Sequence, residues 1–348
     1  MGQGPRRRGG PGPGQGIARR RPGRGGRAIT SAIGTALAFD VLTVAVSFAI
    51  ALALYPPFIR LLRRRRAGQV IQEELPAEHQ AKAGTPTGGG ILFVVLGLLG
   101  GVLAIWAGHR GAVPALAGLV CGGLVGLADD LRKLRVGSLG IPARAKFPLQ
   151  FLLAVPVAWL AYQPHQLLVP FDLGWLYWPL ALLAIVGAAN AVNITDGIDG
   201  LCGGLAAIAL TVLALLLPDG SAGEKAVAMA LVGGLLAFLW YNRRPARVFM
   251  GDTGSLGLGY ALAAMALQQG VVLLLPLLGL VFVIETLSVI IQVAYFKATG
   301  GRRVFKMTPI HFTFQLEGWS EDRIDVVFWT VGLVVAAVTV GLARTVIR

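Results

Sequence analysis

Residues 181–217 read ALLAIVGAANAVNITDGIDGLCGGLAAIALTVLALLL. Two apolar runs flank a stretch, residues 190–200, that sets Asn190, Asn193, Asp196 and Asp199 among glycines. A carboxylate taken out of water is costly, and more so beside lipid. The runs approach the length that crosses a bilayer as helix, so the polar stretch reads as a short connection between two spans. That reading sets the class: an all-α polytopic membrane protein with polar chemistry at the ends of its spans.

Composition agrees. The chain has 348 residues, 55% of them hydrophobic and 14% charged, against about 25% charged in ordinary globular chains. The alternating pattern of about ten residues that marks a membrane β-strand is absent. Cys121 and Cys202 each stand alone in an apolar run and read as packing residues. The four histidines, His79, His109, His165 and His311, make no zinc spacing. A Walker GxxxxGK[ST] sequence is also missing, which disfavours an ATP-driven pump.

Ten transmembrane helices are expected, over about 36–56, 89–107, 112–128, 147–162, 175–191, 200–217, 225–241, 254–269, 271–296 and 325–345. Loops after the odd-numbered spans carry nineteen Lys and Arg, against Arg110 and Lys225 in the others. The positive-inside rule then puts the odd loops in the cytoplasm and both termini outside. Residues 1–36 form a Gly/Pro/Arg-rich extension expected to be disordered, leaving 37–348 as the ten-helix domain. The arginines of the extension run against the rule, but the loop asymmetry outweighs them.

Every unusual polar cluster falls on that cytoplasmic side. They are HQAKAGTPTGGG (79–90), GLADDLRKL (126–134), the opening turn, YNRRPARVFMGDTGSLGLG (241–259) and the segment from Glu285 to Glu321. Plainer roles compete for some residues. Arg63–Arg66 suits a headgroup anchor. Asp129 and Asp130 diverge by about 100° on a helix, so at most one aims directly at a shared centre. Lys133 could simply pair with either, and Asp252 or Thr253 could cap span 8. Glu285, Ser288 and Gln292 fall on one face, lining a cleft or joining helices.

Taken together the inventory suits phosphate chemistry. Hard carboxylate oxygens and an amide can hold Mg²⁺, which bridges to substrate phosphates. Lys82, Lys133 and the glycines of GTPTGGG can neutralise or approach a pyrophosphate, and a carboxylate off the metal could take a proton. A transporter is the rival class, because intramembrane carboxylates often mark an ion pathway. Such sites lie near the bilayer midplane, however, whereas these groups sit at span ends.

The motifs GTPTGGG, DDLRK, NAVNITDGIDGL, FMGDTGSLGLG, ETLSVIIQV and PIH…GW, in this order from about residue 37, resemble the polyprenyl-phosphate N-acetylhexosamine-1-phosphate transferases, nearest the phospho-N-acetylmuramoyl-pentapeptide branch. The resemblance implies Mg²⁺-dependent transfer of a sugar phosphate from UDP-N-acetylmuramoyl-pentapeptide to undecaprenyl phosphate, at the cytoplasmic face of a bacterial inner membrane. UMP and lipid I would be the products. It implies Asp129 as the group that deprotonates or positions the lipid phosphate, with Asp130 beside it. Asp252 becomes the Mg²⁺ ligand, with Asn193 completing that site. Asp196, Asp199, Phe249 and Gly251 would line the nucleotide pocket, Phe249 stacking on uracil. Lys82, Thr85 and Lys133 would lie near the phosphates, and His311 in the donor-recognition loop. Membrane lipids are expected partners, a homodimer is compatible, and no nucleic acid is expected. One departure bears on the donor: the family usually has three consecutive histidines where this chain has His311, Phe312 and Thr313. A related enzyme using another UDP-sugar, such as UDP-GlcNAc, is therefore the alternative.

Overall fold

A computed structural model describes Gly2 and residues 24–65, 82, 84–136, 140–216 and 222–346. The tail expected to be disordered lies, from residue 3 to residue 23, outside the described residues, and helical backbone begins at Arg24. The chain divides into two compact units, Met1–Phe39 and Asp40–Arg348. In the first, the described backbone beyond Gly2 is the start of α1 (Arg24–Arg64). The second holds the rest of α1, then α2 (Gly90–Trp106), α3 (Val113–Val136), α4 (Ala143–Leu160), α5 (Tyr177–Thr195) and α6 (Leu201–Leu216). It continues with α7 (Ala222–Asn242), α8 (Asp252–Gln268), the single turn α9 (Leu275–Leu278), α10 (Leu280–Ala298), α11 (Ile310–Leu316) and α12 (Glu321–Val346).

A helix overlaps each expected span, but the bounds shift: α1 runs Arg24–Arg64 against the expected 36–56, and α3 ends at Val136 rather than 128. The span expected from residue 271 begins as α10 at Leu280, because Val272–Leu274 is a 3₁₀ turn and α9 stops at Gly279. Among the described residues six helical segments are long and apolar enough to cross a membrane: Leu37–Arg64, Arg110–Val136, Gly174–Thr195, Ala222–Asn242, Leu280–Ala298 and Glu321–Thr345. Gly90–Trp106 and Leu201–Ala214 are shorter apolar helices. Pairing between extended segments is confined, among these residues, to one isolated bridge, Thr87 with Phe249.

The distribution of apolar residues is that of a membrane protein. Ile284, Leu287, Ile290 and Ile291 of α10, and Val326, Leu333, Val334 and Val338 of α12, are exposed. In water they would form a patch far larger than soluble monomers carry. The buried centre is α8, almost every residue of which is enclosed, as expected for a helix apolar all round. Small residues let its neighbours reach it, the usual device of helix pairs in lipid. Gly118, Gly122 and Gly126 of α3 lie one helical turn apart and meet the backbone of Tyr260, Leu256 and Asp252. On another face Gly259 rests on Ala189 of α5, and near the start Gly254 packs on Gly90 of α2.

A Cβ at Gly126 would overlap the Asp252 carbonyl, whereas one at Gly187, on α5, meets nothing. Gly126→Val should therefore separate α3 from α8 and lower stability by about 3 kcal/mol or more, in the range of severe overpacking. Gly187→Ala should be neutral or slightly stabilising. Thermal unfolding in detergent reads both, and equal midpoints would refute the glycine contact as the basis of the packing.

Candidate active site

The site is built around the N-terminus of α8. Gly251 precedes it with φ +79°, a left-handed conformation that suits glycine. A Cβ there would also crowd Thr87 Oγ1, the Gly88 nitrogen and Asp130 Oδ2. The free N–H groups of α8 are capped from another helix. Asp130 of α3 accepts the Asp252 N–H at 3.0 Å, the Thr253 N–H at 2.9 Å and the Thr253 hydroxyl at 2.7 Å. Neither Asp252 nor Thr253 caps its own helix, as the sequence had allowed; the N-cap position is Gly251, without a side-chain bond. Two glycines of GTPTGGG also make backbone contacts. Gly89 and Gly90 donate their N–H groups to the carbonyls of Phe249 and Met250, and Phe249 donates to Pro86. Added side chains would collide with Val248 and Gly254. These glycines fasten the first expected inner loop to the fourth.

Asp129, one residue from Asp130, points elsewhere, as helical divergence requires. Its Oδ2 pairs with Lys133 Nζ at 2.8 Å, and Oδ1 accepts the Ile141 N–H at 2.8 Å. Lys133 also reaches Asp252 Oδ1 at 2.9 Å. Lys146, from the first turn of α4, lies 2.5 Å from Asp252 Oδ2 and 3.7 Å from Asp129 Oδ1. Asn193 donates to Asp252 Oδ1 at 3.2 Å and to Ser255 Oγ at 2.8 Å. Two carboxylates and two ammonium groups from α3, α4 and α8 thus balance one another, with the α5 amide at the edge. Burial alone would raise the Asp252 carboxyl, but the charges of Lys146 and Lys133 prevail and hold it well below the usual range.

A second ionic cluster lies around Lys82. Its Nζ bonds Asp199 Oδ1 at 2.8 Å and Glu321 Oε1 and Oε2 at 2.7 and 2.8 Å. Asp199 accepts the Ala246 N–H through its other oxygen, and Gln315 donates to Glu321. Burial pushes the Asp199 carboxyl up, with Lys82 pulling it back. Lys82 and Lys133, both expected near the phosphates, pair with different carboxylates. Asp196 is half-buried and feels both clusters. Its carboxyl is pushed up to about 7, by burial first and then by the charges of Asp252 and Asp130, with Lys133 opposing. Thr85 and Phe249 are half-buried beside these groups, Thr85 donating its N–H to the Lys82 carbonyl.

His311 is fully buried on α11, its Nδ1 3.0 Å from Glu285 Oε2 of α10. Its Nε2 faces Gly197, where a Cβ would overlap the ring. The polar face of α10 thus holds the last loop. Glu285 takes the histidine, and Gln292 accepts the N–H groups of Val304 and Phe305 at 2.9 and 3.0 Å. Phe312 is buried in the core, and Thr313 accepts the Met307 N–H while donating to the Met307 carbonyl. These two residues replace the usual histidines with packing and loop closure.

Sequence reasoning missed Lys146, Glu321 and Asn242 as site residues. Lys146 was counted only as a basic loop residue, and Glu321 sits in an ordinary first helical turn. Asn242 joins Gly200 to Val248. Only the convergence of distant elements identifies them. Among the described residues no group of three or more His, Cys, Asp or Glu side chains could by itself hold a metal ion.

Apolar helices gathered around a buried, charge-balanced Asp/Lys site define a membrane protein of phosphate chemistry, and comparison with known proteins agrees. The model of glycosyl transferase family 4 matches residues 112–270. The chain is 46% identical over 318 residues to the phospho-N-acetylmuramoyl-pentapeptide-transferase of Geobacillus kaustophilus, across 85% of this chain and 95% of that one. Enzymes of the same name from Bacillus anthracis and Bacillus cereus are 43% identical over 309 residues, with the same coverage. The chain belongs to the phospho-N-acetylmuramoyl-pentapeptide-transferase family. A transporter is not favoured.

An acid whose pKa rises on folding favours the folded state at low pH, and that contribution is lost as pH rises through the folded value, here about 7. Asp196→Asn, which cannot ionise, should therefore outlast the parent in thermal unfolding at pH 8, by on the order of 2 kcal/mol. The advantage should shrink as pH falls toward 4. A pH-independent difference would show that Asp196 carries no raised pKa.

Proposed function

We propose that this chain transfers phospho-N-acetylmuramoyl-pentapeptide from its UDP-linked donor to undecaprenyl phosphate, giving lipid I and UMP in peptidoglycan synthesis. The observation that carries the reading is the balanced cluster of Asp129, Asp252, Lys133 and Lys146 in a chain of this family. An oxygen of the lipid phosphate forms a bond to the sugar-linked phosphorus, and the phosphoanhydride bond to UMP breaks. One phosphoanhydride replaces another, so positioning and charge neutralisation matter more than a strong base.

The residues fit a Mg²⁺ ion. Such an ion takes one or two carboxylates and completes its shell with water and substrate phosphate. Lys133 Nζ already lies 2.8 and 2.9 Å from carboxylate oxygens of Asp129 and Asp252, a seat for positive charge between two acids. Asp252 is the principal ligand, with Asn193 beside it. Bound there, Mg²⁺ would neutralise charge on the pyrophosphate. Lys133 and Lys146 would pair with phosphate oxygens of the substrates, and Asp129 would position the lipid phosphate or take its proton. Asp130 holds α8 in place. Asp196, Asp199, Lys82, Thr85, Phe249 and Gly251 line the nucleotide side, and His311 the donor-recognition side. Ten spans would place this face in the cytoplasm of a bacterial inner membrane with both termini outside.

Purified protein with Mg²⁺, undecaprenyl phosphate and a panel of UDP-sugars should release UMP with the muramoyl-pentapeptide donor. Release with UDP-GlcNAc alone would make the chain a transferase of another sugar, and release with no donor would refute the transferase reading. Asp252→Ala should abolish activity without unfolding the protein. Asp129→Asn should cost orders of magnitude in turnover while nucleotide binding remains nearly intact.

Lys146→Ala should leave Asp252 with one cationic partner and reduce turnover about 100-fold or more, as loss of a charged transition-state contact does. Steady-state UMP release measures it. Parental rates in that variant would remove Lys146 from the phosphate site.

A further inference from the structure

The end of α8 remote from Asp252 carries polar groups that the transfer reaction does not use. Glu224, in the first turn of α7, is fully buried. Its Oε1 accepts one hydrogen bond, from Gln269 Nε2 at 3.0 Å, and its Oε2 has no partner. Among the described residues no Lys, Arg or His pairs with it. Gln268, the last residue of α8, donates through Nε2 to the Gly111 carbonyl at 3.1 Å. The side-chain oxygens of Gln268 and Gln269 are buried and also without partners.

With Glu224 ionised, turning Gln269 over would set its oxygen against a Glu224 oxygen, and turning Gln268 over would set its oxygen against the Gly111 carbonyl; both contacts are repulsive. Three acceptor oxygens therefore lack a donor, one of them on a wholly buried carboxylate. The C-terminal end of α8 adds the negative pole of a helix. The surroundings are tight as well, since Gly223 packs on the backbone of His109 and Ala112 in the turn before α3. A buried carboxylate with an unpartnered oxygen, bonded to Gln269 at a helix C-terminus whose last glutamines also carry buried unpartnered oxygens, is a setting for a hard cation, and Ca²⁺ takes such oxygens together with water.

We propose that Glu224, Gln268 and Gln269 form a calcium-type cation site, which fastens the start of α7 to the end of α8 and the turn at Arg110–Ala112. The site stands about 24 Å from Asp252 along α8 and is independent of the transfer chemistry. On the orientation proposed above it would face the outside of the cell.

The full-length protein, freed of divalent ions with chelator, is titrated with Ca²⁺ and its thermal unfolding followed in detergent. Asp252→Ala serves as the background, so that the catalytic cluster cannot supply the response. A saturable rise of several degrees is expected, lost in Glu224→Gln and shifted at least tenfold in midpoint concentration by Gln268→Ala. Without calcium, at alkaline pH, Glu224→Gln should be the more stable protein, because it removes an uncompensated charge. No saturable response, or one that survives in Glu224→Gln, would overturn the proposal. UMP release by the parent protein is assayed separately, so failure of one reading leaves the other standing.

Discussion

The three hydrogen bonds from the start of α8 to Asp130 hold the molecule's chemistry in place. An isolated helix N-terminus leaves N–H groups without partners, and burying those groups in a membrane protein would be costly. Here the carboxylate that satisfies them belongs to α3, so capping α8 and docking α3 are one event. Hydrogen bonds to charged groups contribute about 1.5–3 kcal/mol each, and this set acts where the glycines of α3 already permit backbone contact. The neighbouring Asp129 is thereby turned to Lys133 and Lys146, the lysines it shares with Asp252. Two adjacent acids on one helix have separate roles because a helix cannot point both the same way.

Electrostatics then divide the five converging segments between two groups. Lys133 and Lys146 serve Asp129 and Asp252, while Lys82 serves Asp199 and Glu321. Asp196, with no lysine of its own in either group, lies within the field of both, and its carboxyl is pushed up. Charges in a weakly polarisable setting are held by partners rather than by solvent. A phosphate-bearing ligand arriving here exchanges one set of partners for another, which is a smaller change than desolvating bare ions.

Much of this was legible in the sequence. The helices were announced by apolar runs, and NITDGIDG and FMGDTGS by polar residues that no span needs. The divergence of Asp129 from Asp130 followed from helical geometry alone. The break before Leu280 was hidden because VVLLLPLLGL is apolar throughout, and composition does not register a turn inside an apolar run. Lys146 and Glu321 were hidden for another reason: each is an unremarkable residue in a first helical turn, and only tertiary contact brings Lys146 to Asp252 and Glu321 to Lys82. The packing of Gly89 and Gly90 was hidden because a glycine that makes room for a ligand and one that makes room for backbone look alike in sequence.

Gly197 has a consequence of its own. The space its side chain would fill belongs to the His311 ring, so the turn between the two aspartates and the short helix of the last loop share a single wall. Position 197 and position 311 compete for one volume. A larger residue at one of them calls for a smaller one at the other, so the turn at 196–199 and the last loop can change only as a pair.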